Sequence, residues 1–154
     1  MFIKYLIIFL VSMVPVVELR GAIPIAVGMD LNKLVSFIIC IIGNMIPVPF
    51  IFLFARKILE WGKDKKVIGK FFTWCLNKGE KGGKKLTAKA GRGVYVALLL
   101  FVGIPLPGTG AYTGALVAAM VDMQIKRAVP AIFTGVVIAA IIVSLATAGV
   151  VAIW

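Results

Sequence analysis

Residues 16–28 read VVELRGAIPIAVG, and a carboxylate, Glu18, stands two positions from a guanidinium, Arg20. The run before them, Tyr5–Val14, is almost wholly apolar, and Ala22–Met29 after them is apolar again, with Pro15, Gly21 and Pro24 as punctuation. The chain has 154 residues, 62% of them hydrophobic, against about 45–50% apolar residues in soluble domains. A soluble chain this short has too much surface for its volume to hide that much hydrocarbon. Lipid is therefore the expected solvent, and an unpaired charge at bilayer depth costs a few kcal/mol even on insertion scales. Glu18 and Arg20 need a polar setting inside the membrane.

The lengths of the apolar runs supply one. A helical span of the hydrocarbon core takes about 20 residues, and the run Tyr5–Val14 has ten. Two short runs hinged by Pro and Gly make a re-entrant hairpin over residues 5–28, with Glu18 and Arg20 at its tip facing a polar cavity. Broken backbone at membrane depth is tolerated where protein or water satisfies it. Asp30 then reads as an N-cap. Leu31–Phe54 is long enough to span, with Pro47 and Pro49 predicting a kink near its far end.

The same order recurs. Val94–Ile104 is a short apolar run, PLPGTGAYTG (Pro105–Gly114) breaks it, Ala115–Val121 is short again, Asp122 follows, and Ala128–Trp154 is a second full span. Asp30 and Asp122 are 92 positions apart, as are Gly43 and Gly135, and Pro15 and Pro105 are 90 apart. The expected fold is an all-α integral membrane protein in one domain, 1–154, built of two inverted repeats. Repeat 1 (1–57) has its hairpin at 5–28 and its span at 31–55. Repeat 2 (93–154) has its hairpin at 94–121 and its span at 124–152. Residues 58–92 form a basic cytoplasmic linker between them.

Charge supports that layout. Of 17 Lys and Arg, all but Lys4, Arg20, Lys33, Lys126 and Arg127 lie between Arg56 and Arg92. The positive-inside rule reads 56–92 as a cytoplasmic loop of a multi-pass protein of the cell membrane, rather than as a nucleic-acid surface. Within it, Ile68, Phe71, Phe72 and Cys75 recur at helical spacing against Lys63, Lys66 and Lys70, a pattern for a helix lying at the lipid interface. MFIKYLIIFLVSMV resembles a signal peptide but shows no small-residue cleavage site, so it reads as retained membrane structure. Cys40 and Cys75 read as free thiols. With no His and no Cys cluster, no metal or other cofactor is expected.

In transporters, paired broken elements in two halves point to a binding site near the midplane. The candidate substrate- and ion-binding residues are therefore Glu18, Arg20, Asp30, Pro107, Gly108, Thr109, Gly110, Tyr112, Thr113 and Asp122. Glu18 can exchange a proton. Arg20 can hold an anionic headgroup through paired hydrogen bonds. The plainer reading is that the two neutralise each other or cap backbone groups. The GTGAYTG stretch offers backbone N–H donors with little bulk around them. Asp30 and Asp122 read as caps before proton carriers. Tyr112 and Thr113 read equally as lining or as packing.

PxxExRGAIP near the start, with PLPGTGAYTG in the second half, resembles the small multidrug export protein family of bacterial and archaeal membrane proteins. The architecture also resembles the wider DedA/VTT superfamily, whose members have two re-entrant hairpins each followed by a span. That resemblance implies movement of lipids, undecaprenyl phosphate among them, in some cases driven by the proton gradient. Glu18 and Asp30 fit the acidic positions of that superfamily. Its second-hairpin arginines have no counterpart, because Phe101–Met120 contains none.

The leading expectation is a secondary transporter or lipid translocase for an anionic amphipathic substrate, coupled to H⁺ or Na⁺. Export of cationic drugs, with Glu18 as counter-charge, is the second reading. A non-transporting scaffold or assembly factor is the third. The residue patterns of an enzyme are missing: the chain has no His and no GxSxG motif. Membrane lipids and an amphipathic small molecule or lipid are the expected partners. Two hairpins and two spans enclose little space alone, so a homodimer is expected.

Overall fold

The computed structural model describes residues 1–62, 69–70, 73–74, 77, 93–106, 109–121 and 123–153. The candidate residues Pro107, Gly108 and Asp122 lie outside the described residues. So does the apolar face expected in the basic segment, Ile68, Phe71, Phe72 and Cys75.

Among the described residues, seven helices of ten residues or more follow one another: α1 (Phe2–Met13), α2 (Glu18–Gly28), α3 (Lys33–Met45), α4 (Pro47–Gly62), α5 (Gly93–Gly103), α6 (Ala111–Met120) and α7 (Ile125–Ile153). Among the described residues there is no strand. Two stretches are long and apolar enough to cross a membrane, Lys33–Gly62 and Ile125–Ile153. α1, α2, α5 and α6 have 12, 11, 11 and 10 residues. At 1.5 Å per residue each covers about 15–18 Å, roughly half of the hydrocarbon thickness.

The surface is that of a protein in lipid. Leu145, Phe50 and Leu34 are each 69% exposed, while Ser12, Glu18, Ser36 and Asn44 are buried. Large apolar side chains facing outward while polar ones are buried in an otherwise apolar core is the reverse of a soluble domain. A stable place for such a surface is the bilayer, and the protein is a membrane protein.

Local boundaries differ from the sequence reading at two points. Asp30 does not cap α3. That role belongs to Asn32, whose side chain accepts from the N–H groups of Leu34 (3.0 Å) and Val35 (3.2 Å). Asp30 instead closes α2 in the left-handed conformation, φ 54°, with Asp30 N–H on Val27 O and Leu31 N–H on Ala26 O, both at 3.1 Å. The first span also runs on to Gly62 rather than ending at 55, because Ala55–Gly62 continues the helix. The proline expectation fares better: the helix is interrupted at Ile46, and Pro47 opens α4, where its missing N–H does least harm.

α1 lies along α2 and α3, and α5 lies along α7. α2 also reaches α7, while α6 packs on α4 and α7. Two glycines permit the closest approaches. A Cβ on Gly43 of α3 would stand 2.8 Å from Phe9 O of α1, and one on Gly135 of α7 would stand 2.7 Å from Leu99 O of α5. Small residues of this kind let helix backbones meet in lipid, where hydrophobic driving force between helices is absent. The core between the short helices is correspondingly rich in alanine: Ala22, Ala26, Ala111, Ala115 and Ala118 are buried.

Candidate functional site

The connection Val14–Val17 turns the chain from α1 into α2 and puts Glu18 at the first position of α2, in the left-handed region at φ 52°. Such a conformation costs about 1–3 kcal/mol for a residue with a side chain and persists where surrounding contacts fix it. Here they do. The Glu18 carboxylate lies against Gly110, so that a Cβ on Gly110 would stand 2.7 Å from Oε1. The carboxylate faces the backbone N–H groups of Tyr112 and Ala111. These are orphan donors of the first turn of α6, where the helix dipole favours negative charge.

Arg20 reaches the other side of the same break. Its guanidinium donates to Leu106 O at 2.5 Å, to Val102 O and Ile104 O at 3.4 Å, and to Thr109 Oγ1 at 3.2 Å. Carbonyls at the end of α5 are the negative pole of that helix, so the cation is matched to it. Thr109 joins the cluster, donating to Ile104 O or Leu106 O, both at 2.8 Å, and accepting from Leu106 N–H at 3.3 Å.

A third tie runs in the opposite direction. Tyr112 on α6 donates its hydroxyl to Met13 O at 2.8 Å, with Ser12 O at 3.4 Å. The ends of three short helices thus meet side chains from the other half of the chain. Glu18 serves the start of α6, Arg20 serves the end of α5, and Tyr112 serves the end of α1. Of the two functions open to Glu18 and Arg20, capping of backbone groups is realised in this arrangement.

The expected residues sort cleanly. Glu18, Arg20, Thr109, Gly110 and Tyr112 come together. Thr113 is half-buried one residue further along α6. Asp30 sits at the far end of α2, on the rim of a cavity of about 780 Å³ that also involves Ile23, Lys33, Ser36, Phe37 and Thr147. Sequence reasoning missed Asn44, which is buried beside Glu18 and Arg20 in one small cavity. The signal was available: it is an amide inside an apolar span, three positions before Pro47. The carbonyls that hold Arg20 leave no trace in side-chain identity.

The profile of the family described as "Putative small multi-drug export protein" matches residues 18–142. The chain belongs to that family. The match begins at Glu18, just after the first connection, and covers the second break between α5 and α6 and most of α7. No curated protein and no solved structure matches the chain.

Proposed function

We propose that this member of the small multi-drug export family is a secondary transporter that moves amphipathic cations, with Glu18 as the counter-charge and proton-exchanging group. The observation that carries this reading is how the two charges of the first hairpin are used. Arg20 spends its donors on Val102, Ile104, Leu106 and Thr109, so holding an anionic headgroup would require it to abandon the end of α5. Glu18 also caps a helix, the start of α6, but a proton can remove its charge and release that contact, which the Arg20 guanidinium does not allow. An anionic-lipid translocase of the DedA type asks the reverse of these residues. The wide cavity at the other end of α2, bordered by Asp30 and Lys33 with apolar walls and hydroxyl groups, suits the body of an amphipathic substrate before it reaches Glu18.

The architecture belongs to the same proposal: two inverted repeats, 1–57 and 93–154, each a re-entrant hairpin followed by a span. What supports it is correspondence in detail. α1 packs on α3 as α5 packs on α7, and Gly43 and Gly135 make equivalent backbone approaches. The closing bonds of α2 and α6, Leu31 N–H to Ala26 O and Met123 N–H to Ala118 O, involve residues 92 positions apart. Alternating access then amounts to rocking of one repeat against the other about the Glu18–Gly110 contact.

The test is flux in proteoliposomes with a fluorescent quaternary-ammonium dye and an amphipathic sulfonate of similar size. The expected result is gradient-dependent flux of the cation, lost in Glu18→Gln. Flux of the sulfonate in its place, lost when Arg20 is replaced, would restore the anionic reading. Dye flux indifferent to neutralising both residues would leave a scaffold role.

A further inference from the structure

The buried side chain of Asn44 carries a puzzle. It is 1% exposed and its Oδ1 has no hydrogen-bond partner. An acceptor left unpaired in the interior costs about 1–3 kcal/mol, and each such group in a native protein calls for an explanation. Asn44 lines the same small cavity as Glu18, Arg20, Gly110 and Ala111, a space with no room for a water-sized guest. Water is therefore not the missing donor.

From this juxtaposition we infer that Asn44 is the second half of a dehydrated proton site: when Glu18 takes up a proton, its O–H donates to Asn44 Oδ1. Each protonation state of Glu18 then has its own partners. The carboxylate faces the N–H groups of Tyr112 and Ala111 at the start of α6. The neutral acid, which can donate, is served by Asn44. The charged or titratable groups that bear on Glu18 are Arg20 on its own helix and Tyr112 on α6. The side chain that α3 brings to this cavity is Asn44, which does not titrate. Pro47 and Pro49 have no N–H, so the carbonyls of Gly43 and Met45, on either side of Asn44, lose their usual helical donors. The end of α3 is thus the negative pole of its helix. Na⁺ would ask for several oxygens around a space of its own, whereas a proton shared between two oxygens needs none.

The inference rests on Glu18 being the proton-exchanging group, and its test does not depend on transport. The probe is infrared difference spectroscopy of the purified protein in lipid nanodiscs across a pH series. The C=O stretch of the protonated carboxylic acid is assigned by its loss in Glu18→Gln. In Asn44→Leu, which keeps the volume and removes the amide, that band is expected at higher frequency, because its hydrogen bond is gone. Its midpoint is expected about one pH unit further to the acid side, a tenfold weaker hold on the proton. Asn44→Leu is also expected to melt no lower than the parent at pH 8, since an unpaired buried acceptor has been exchanged for an apolar group. Asn44→Thr, which keeps a smaller acceptor, is expected between the two. A Glu18 band that neither moves nor retitrates in Asn44→Leu and Asn44→Thr overturns the assignment. So does a band that vanishes when Na⁺ replaces choline at constant pH, which would make the site a sodium site. A failure of dye flux with the band behaviour intact counts against the transport reading alone.

Discussion

The carboxylate of Glu18 occupies the space that a side chain at position 110 would need. The ideal Cβ of Gly110 would stand 2.7 Å from Oε1 and 2.8 Å from Cδ, well inside van der Waals contact, so with Glu18 in place the junction between α2 and α6 requires glycine at 110. Gly110→Ala should therefore lower the melting temperature in detergent by an amount corresponding to about 1–3 kcal/mol. The same substitution on a Glu18→Ala background should cost much less, because the overlapping atoms have gone. A double-mutant cycle measures the coupling, and additive effects would contradict the contact.

Arg20→Lys should be worse than its unchanged charge implies. A lysine is a point charge on a flexible stem and cannot place donors on Leu106, Val102 and Thr109 together, as the guanidinium fork does. Bonds to charged groups are worth about 1.5–3 kcal/mol. The expected loss for Lys is at the lower end of that range, and larger for Arg20→Met. Thermal denaturation in nanodiscs reads it; parity of Lys with the parent would show that the fork is not used.

Gly43 and Gly135 should tolerate alanine poorly, because the atoms in the way are backbone carbonyls, Phe9 O and Leu99 O. Gly149, in the outer part of α7 with nothing within 4 Å of its added Cβ, is the control. Gly149→Ala should be neutral or stabilising by up to about 1 kcal/mol, the helix propensity difference. Comparing the three melting temperatures tests the packing of α1 on α3 and of α5 on α7.

Glu18→Gln should keep the fold, since an amide carbonyl can still accept from the α6 amides, yet flux should lose its dependence on the proton gradient. The parent should show a rate that varies across a pH series and the variant a flat, low one. A pH profile identical in both would remove Glu18 from proton exchange.

Membrane topology separates the hairpin architecture from four complete spans. With the basic segment inside, inverted hairpins keep Lys126 and Arg127 inside and carry the end of α7 outward, in line with the positive-inside rule. Single cysteines at Gln124 and Ile153, in a background without Cys40 and Cys75, can be probed with an impermeant maleimide on intact cells. Labelling at 153 but not at 124 is expected. The opposite pattern would refute the inverted arrangement.

Composition and run length by themselves determined much of this protein. A chain this apolar has no aqueous alternative, and runs of ten or eleven residues cannot span, so two short helical pairs and two long helices follow from counting. The breaks were visible because Pro and Gly act locally, through a missing N–H and a missing Cβ. Asp30 was misplaced by the same local reasoning: Asp and Asn two positions apart are equally good caps on paper, and the turn after α2 decided that Asn32 faces the free amides. Only the tertiary structure decided what Glu18 and Arg20 do. Their partners lie more than 80 positions away, and most of them are backbone carbonyls and amides, which every residue carries alike. A hydrogen bond to a main-chain group at a broken helix end depends on where the chain has been bent, and no spacing of residue types records it.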